Sequence, residues 1–359
     1  MKIAILSRRL SGHGGMETII KTLSEVLVQA SSFDNLLICD FNSHHNQDNT
    51  WLKTIPHKEF SIKAPRPCLN YIYAYLLAKY IDTNNIDKII CCDEYCVRIA
   101  SNASKKSQHH PIVISWLHFS IDQLTTKRQR WLKNADHHLA ICSQIADQLE
   151  QVGIESSKIH IFHNCVTRPQ YIINPDPSIN RFLYLGRITF EGQKRVSDIF
   201  YALREIPSPW ELHIVGSGNL DDIENLKALS TSLNISQNII WHGWKQDPWN
   251  YIQTEIKTIS ALIAASEYEG FPMTLLEALA RGIPCIYSDC LTGPRDAIIP
   301  GKNGYLFKPT NIEDLIASIN KLLTDGIVLT RNQIQDSLSS FYLNNYQAKV
   351  KNTIIDSCD

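Results

Sequence analysis

Two glutamates stand eight positions apart in Glu269-Gly-Phe-Pro-Met-Thr-Leu-Leu-Glu277. The apolar run Ser260-Ala-Leu-Ile-Ala-Ala-Ser266 before them has the composition of a buried parallel strand that ends in a polar turn. Gly270 and Pro272 fix that turn, and Met273 to Ala280 supplies strong helix formers with Leu275, Leu276 and Leu279 on one face. Glu269 therefore falls at the carboxyl end of a strand, where open α/β sheets meet ligands, and its oxygens can accept from two sugar hydroxyls. Glu277, just over one turn into the helix, can accept from the two hydroxyls of a ribose. The first N–H groups of the turn and helix suit hydroxyl oxygens or an anion. Together these features form a clamp for a sugar nucleotide; a loop glutamate followed by a solvated helix glutamate is the alternative.

A diphosphate needs cations, and one loop supplies two. Arg181-Phe-Leu-Tyr-Leu-Gly-Arg187 reads as a strand that delivers Arg187 into a glycine-containing loop with Lys194 and Arg195. Arg187 offers a bidentate fork and Lys194 a point charge, enough to neutralise a diphosphate without a metal. Plain surface charge is an equal alternative on these residues alone. Gly216 and Gly218 follow the strand Trp210 to Val215, where a missing side chain lets backbone approach a donor; Gly243 and Trp244 follow Asn238 to His242 and could seat a flat base. Earlier strand ends carry Asp93 and His118, at the edge where an acceptor would be met. A lone histidine is more often structural, so both roles stay open for His118.

The elements that must position these groups alternate between strand and helix along the whole chain, the pattern of parallel doubly wound sheets. The first unit is strand Lys2 to Leu6, loop Ser11-Gly-His-Gly-Gly15, and a helix from about Met16 to Val28. That loop lacks the dinucleotide-binding spacing and a Walker lysine, so it is not assigned as an NAD or ATP site. Further strands are expected at Leu36 to Cys39, Lys88 to Cys92, Pro111 to Trp116, His138 to Ile141 and Pro284 to Tyr287. Pro169, Pro175 and Pro177 interrupt the alternation, so the expected division is an N-terminal domain over 1–168, a linker over 169–180 and a C-terminal domain over 181–335. Residues 336–359 read as an amphipathic helix that packs back on the first domain.

Composition sets the outer limits. A chain of 359 residues, 44% hydrophobic and 20% charged, is ordinary for a globular protein with two cores. A formal net charge of -1 argues against a nucleic-acid partner. Residues 1–170 carry 19 Lys and Arg against 15 Asp and Glu, a mild surplus compatible with an anionic acceptor or membrane surface. The basic stretch Lys127-Arg-Gln-Arg-Trp-Leu-Lys133 reads as a solvated helix face, with contact to an anionic acceptor or lipid headgroups as the alternative. No signal peptide and no apolar run near 18 residues is present, so a cytoplasmic location with peripheral contact to the inner membrane is expected. None of the ten cysteines has zinc spacing; Cys91, Cys92 and Cys96 are expected to pack, and no metal site is expected.

The glycine pair before an N-terminal helix, Arg187 and Lys194 in one loop, and the Glu269 to Glu277 spacing together resemble the retaining GT-B glycosyltransferases of family four. The resemblance spans nearly the whole chain. Gly14-Gly-Met-Glu-Thr18, Ser115-Trp-Leu-His-Phe-Ser120, Phe190-Glu-Gly-Gln-Lys-Arg-Val196 and Glu269 to Leu279 are similar to the branch that adds galactose from UDP-galactose to a glucose of the lipopolysaccharide core through a 1,6-linkage. Asp296 stands where many relatives have Glu.

The resemblance implies two Rossmann-like domains facing across a cleft, acceptor on the N-terminal one and UDP-hexose on the C-terminal one. It implies that Arg187 and Lys194 bind the diphosphate and that Glu269, with Gly270 and Phe271, holds the sugar. Pro272 and Met273 join the donor side, and Glu277 holds the ribose. Gly15 would approach the phosphates, His118 would sit beside the transferred sugar, and Gly14, Glu17, Asp93 and Trp116 are acceptor-side candidates. The family retains anomeric configuration with no metal or other cofactor, the UDP-sugar being a co-substrate. A UDP-glucose or UDP-N-acetylglucosamine transferase for another envelope glycan is the nearest alternative, followed by a UDP-sugar epimerase or a non-catalytic sugar-nucleotide binder.

Overall fold

The computed structural model describes residues 1–10, 15–40, 50–62 and 65–356. The chain divides into two compact units, Met1–Cys165 with Asn344–Asp359, and Val166–Leu343.

The first unit is built on seven strands, β1 (Ile3–Arg8), β2 (Phe33–Asp40), β3 (His57–Ser61), β4 (Lys88–Cys91), β5 (Ile112–Leu117), β6 (His137–Ala140) and β7 (Ile159–Ile161). They pair in the order β3-β2-β1-β4-β5-β6-β7, and every pairing is parallel. Ile3-Ala4-Ile5-Leu6 is buried along its length because both faces of a parallel sheet are covered by helices. The order reverses between β1 and β4, which makes that edge the topological switch point. The helix Glu94–Ser104 starts there because the Asp93 carboxylate accepts from the Cys96 N–H at 2.8 Å.

The second unit has six strands, β8 (Asn180–Leu185), β9 (Trp210–Val215), β10 (Ile239–Gly243), β11 (Ala261–Ala264), β12 (Cys285–Ser288) and β13 (Gly304–Phe307). Their order is β10-β9-β8-β11-β12-β13, again all parallel, with the switch point between β8 and β11. Its core gathers Phe182, Phe200, Leu212, Ile263, Ile286 and Leu315 between the sheet and its flanking helices.

The segment expected as one helix over 336–359 is broken. A helix Arg331–Ser337 is followed by a 3-10 turn Ser339–Phe341, a second helix Leu343–Lys349 and a wide final turn Val350–Ile355. The break has a cause: Tyr342 is extended and bridges Val166, and its hydroxyl donates to the Gln335 carbonyl at 2.6 Å. From Asn344 onward the chain belongs to the first unit. There the buried Lys88 ammonium donates to the carbonyls of Ile354 (3.1 Å) and Ile355 (3.3 Å).

Candidate active site

The loops after β8 and β11 leave the second sheet on either side of its switch point. The first carries Arg187 and Lys194, the second Glu269. Lys194 Nζ lies 2.6 Å from Glu269 Oε1. Ser266 Oγ donates to the same oxygen at 2.6 Å and Tyr287 OH at 3.0 Å. The Thr292 hydroxyl donates to the Glu269 carbonyl and ties the turn down from behind. Glu269 is 8% exposed and Lys194 19%, so this pair is largely withdrawn from water. Burial, and then the Glu269 charge, push the Tyr287 phenol well above its ordinary pKa, which keeps it a hydrogen-bond donor. Three donors converge on Oε1.

Arg187 is exposed, with its guanidinium 3.3 Å from Gln193 Oε1. Gln193 in turn donates to the Tyr268 carbonyl at 3.2 Å and its own carbonyl accepts from the Glu267 N–H at 2.9 Å, so the two loops are bonded to each other. Tyr184, buried beneath, donates its hydroxyl to the Arg187 carbonyl. Gly270 and Met273 are partly buried, while Phe271 and Pro272 are buried. Gly293 holds that turn closely: a side chain there would meet Phe271 at 2.8 Å and Pro272 at 2.9 Å. Glu277 is partly buried, and its Oε2 accepts from Trp249 Nε1 at 2.8 Å.

Gly216 and Gly218 have a packing reason the sequence did not show. The chain after β9 runs against the chain after β8: Ile188 N–H donates to the Ser217 carbonyl at 2.8 Å, and Ile188 bridges Gly218. A Cβ on Gly216 would lie 1.8 Å from the Gly186 carbonyl oxygen, and one on Gly218 2.2 Å from that of Ile188. Glycine is required there by backbone against backbone. Gly243 is exposed with φ +69°, and Trp244 beside it is 66% exposed, an unusually open indole.

In the first unit the switch point between β1 and β4 holds a charge pair, Arg8 Nε to Asp93 Oδ2 at 2.5 Å. Asp93 is thus both a helix cap and the partner of Arg8, rather than a carboxylate open to an acceptor. Gly14, with the rest of the loop 11–14, lies outside the described residues. Gly15 is exposed at the start of the helix Gly15–Gln29, and Glu17 is buried in its first turn. His118 lies just beyond β5, buried, and burial pushes its imidazole down to about 3, so it is neutral near neutral pH. Trp116 is fully buried with its ring 4.3 Å from that of His118; it supports the histidine from the core rather than facing an acceptor.

The basic stretch folds into the helix Thr126–Leu132 and is not uniformly solvated. Arg128 reaches the completely buried Glu94, with Nε 2.7 Å from its carboxylate, while Lys127 and Arg130 are exposed. Tyr95 lies under two guanidinium groups, those of Arg8 (5.1 Å) and Arg128 (4.9 Å). Cys91, Cys92 and Cys96 are buried, with burial raising all three thiols. Among the described residues no group of three or more His, Cys, Asp or Glu side chains is placed to hold a metal ion, and no helix is long and apolar enough to cross a membrane.

Sequence reasoning missed Ser266, Tyr287, Thr292 and Trp249. Ser266 lies two residues past β11 and Tyr287 is the penultimate residue of the neighbouring β12, and a polar residue close to the end of a buried strand is the signal that marks them. Trp249 stands 28 residues from its partner and leaves no such mark.

Two all-parallel Rossmann-like sheets, the second with a cation–carboxylate pair at its switch point, are the architecture of GT-B glycosyltransferases. Residues 171–337 match the family model Glycosyl transferases group 1, and residues 13–168 match Glycosyltransferase Family 4. The chain is 38% identical over 347 residues to a lipopolysaccharide 1,6-galactosyltransferase of Salmonella typhimurium, covering 95% of each. It is 36% identical to that of Escherichia coli K12, covering 99% of each. Among solved structures it resembles the apo form of the lipopolysaccharide outer core galactosyltransferase WaaB, with TM-score 0.91, 37% identity and 99% of each chain covered. The chain belongs to the GT-B glycosyltransferases of family four, within the lipopolysaccharide 1,6-galactosyltransferase family.

Proposed function

We propose that the protein transfers galactose from UDP-galactose to a glucose of the lipopolysaccharide core, forming a 1,6-linkage with retention of anomeric configuration. The observation that supports it most is the Lys194–Glu269 pair at 2.6 Å, at the switch point of a chain whose near-full-length relatives carry that activity in their names. Arg187 and Lys194 take the diphosphate and stabilise the negative charge that grows on departing UDP. Glu269 Oε2 accepts from sugar hydroxyls while Oε1 is held by its three donors, and Glu277 accepts from the ribose. His118, neutral at working pH, meets the sugar as a hydrogen-bond partner and not as a cation. The acceptor hydroxyl attacks the anomeric carbon on the face that UDP leaves, and the departing phosphate oxygen takes its proton. Two cationic side chains do the charge neutralisation, so the reaction is proposed to run without a metal or other cofactor. The acceptor is lipid-borne, and peripheral contact with the cytoplasmic face of the inner membrane is proposed with it.

The test is UDP release from a panel of UDP-sugars, with and without truncated lipopolysaccharide core, in EDTA. Acceptor-dependent release from UDP-galactose alone is expected. Release from UDP-glucose or UDP-N-acetylglucosamine instead would remove the galactose assignment, UDP release without acceptor would favour hydrolysis over transfer, and conversion of one UDP-sugar to another with no UDP freed would favour epimerisation.

A further inference from the structure

Glu277 is held from a side that the clamp does not account for. Trp249 lies in the short helix Pro248–Tyr251, which Asp247 starts by accepting from the Asn250 N–H at 3.0 Å. Its indole is buried, and its only polar atom, Nε1, donates to Glu277 Oε2 at 2.8 Å. Arg281, one helical turn beyond Glu277, fixes the ring. Its guanidinium carbon is 4.2 Å from the centre of the Trp249 ring and 5.6 Å from that of Tyr171. The same guanidinium donates from Nε to Tyr171 OH (3.1 Å) and from Nη1 to the Glu277 carbonyl (2.9 Å). A planar cation on an indole face holds the plane of the indole, so the N–H cannot swing away from the carboxylate.

We propose that Trp249, clamped by Arg281 against Tyr171, is the positioning residue that orients the Glu277 carboxylate toward the ribose hydroxyls of the nucleotide, an inference that rests on the donor-site reading above. The arrangement also keeps the carboxylate usable. Burial raises the Glu277 pKa, and the indole hydrogen bond and then the Arg281 charge oppose that rise. A protonated Glu277 would lose half its capacity to accept from a diol. One oxygen engaged by a rigid neutral donor fixes the direction of the other, which is what two adjacent hydroxyls require.

The experiment is calorimetric binding of UDP and 2′-deoxy-UDP to the full chain and its variants. The wild type is expected to prefer UDP by at least about tenfold, the value of a hydrogen bond to a charged group. Trp249→Phe keeps an aromatic face for Arg281 and removes the N–H alone. It should bring the preference within about threefold, weaken 2′-deoxy-UDP binding less than UDP binding because only the 3′-hydroxyl is left to meet Glu277, and move the acid limit of UDP binding to higher pH because burial of Glu277 is then less opposed. In a Glu277→Gln background Trp249→Phe should add nothing. Arg281→Lys, which keeps the charge and loses the planar group, should lower the preference in the same direction and serves if the Phe variant does not fold. An unchanged preference and pH limit in either variant overturns the role of Trp249. A wild type that binds both nucleotides equally overturns the ribose assignment of Glu277, and a folded wild type that binds neither overturns the donor site itself.

Discussion

Replacing Lys194 by Met separates two things its ammonium does. In the folded protein it neutralises Glu269 at 2.6 Å, where the carboxylate is 8% exposed and the ammonium 19%. Stranding a buried charge costs about 3–5 kcal/mol. The partial exposure of Lys194 and the two hydroxyl donors that stay on Oε1 reduce this to about 1–3 kcal/mol. For a unit of this size that is a fall in Tm of about 3–9 °C. The catalytic loss is a separate quantity: a cation aimed at charge that develops on the leaving group is worth on the order of 10²–10³ in kcat. Both are measured on one preparation, by thermal melts and by acceptor-dependent UDP release at a temperature well below either transition. A lowered Tm with kcat within threefold of wild type would mean that Lys194 is only a structural counter-ion of Glu269, and the diphosphate role would go.

Three further outcomes follow from the geometry. Gly216→Ala forces a Cβ to within 1.8 Å of a backbone oxygen and should destabilise by at least about 1–3 kcal/mol, read by denaturant melts; a neutral substitution would show that the two loops can part. His118 is held near 3 when folded against about 6.5 unfolded, so its contribution is full above pH 6.5 and is lost as pH falls below it, by about 1.4 kcal/mol per pH unit. His118→Gln should therefore flatten the stability profile between pH 6.5 and 4, and an unchanged slope would place the titration elsewhere, as at His138, pushed by burial to about 4. Arg128→Met leaves Glu94 buried and unpaired and should cost about 2–4 kcal/mol, most of it restored by adding Glu94→Gln; an equal loss in the double variant would mean that packing, not charge, is what Arg128 supplies.

The strands could be anticipated where hydrophobic runs are long and followed by polar turns. The run ending in Ser266 and the strand from Arg181 are such cases, and Glu269 and Lys194 were placed by them. β7 could not be read this way: it is three residues at a sheet edge, half exposed, with no apolar run to announce it. β13 begins at a glycine that reads as part of a turn, though a Cβ there would meet the Cys285 carbonyl oxygen at 2.2 Å. The tail misled for a related reason, because its amphipathic pattern continues through Tyr342 while a bridge to Val166, far away in sequence, holds that residue extended. Pairings of this kind, Arg128 with Glu94 and Trp249 with Glu277 among them, depend on tertiary approach and leave no periodicity behind.

The pairing of Lys88 with the carbonyls of Ile354 and Ile355 bears on how the protein is made. Strand β4 is synthesised early, and its acceptors follow some 266 residues later. At the 5–20 residues per second of translation, the wait is on the order of tens of seconds. During that time the second unit, continuous in sequence from Val166 to Leu343, can complete its own fold. The first unit takes in the segment from Asn344 onward, so it lacks that part of its fold, and the two carbonyls that Lys88 reaches, until this segment is made. The older half of the chain is thus the later one to close, and a nascent chain stalled before residue 344 would present a finished second unit beside an unfinished first.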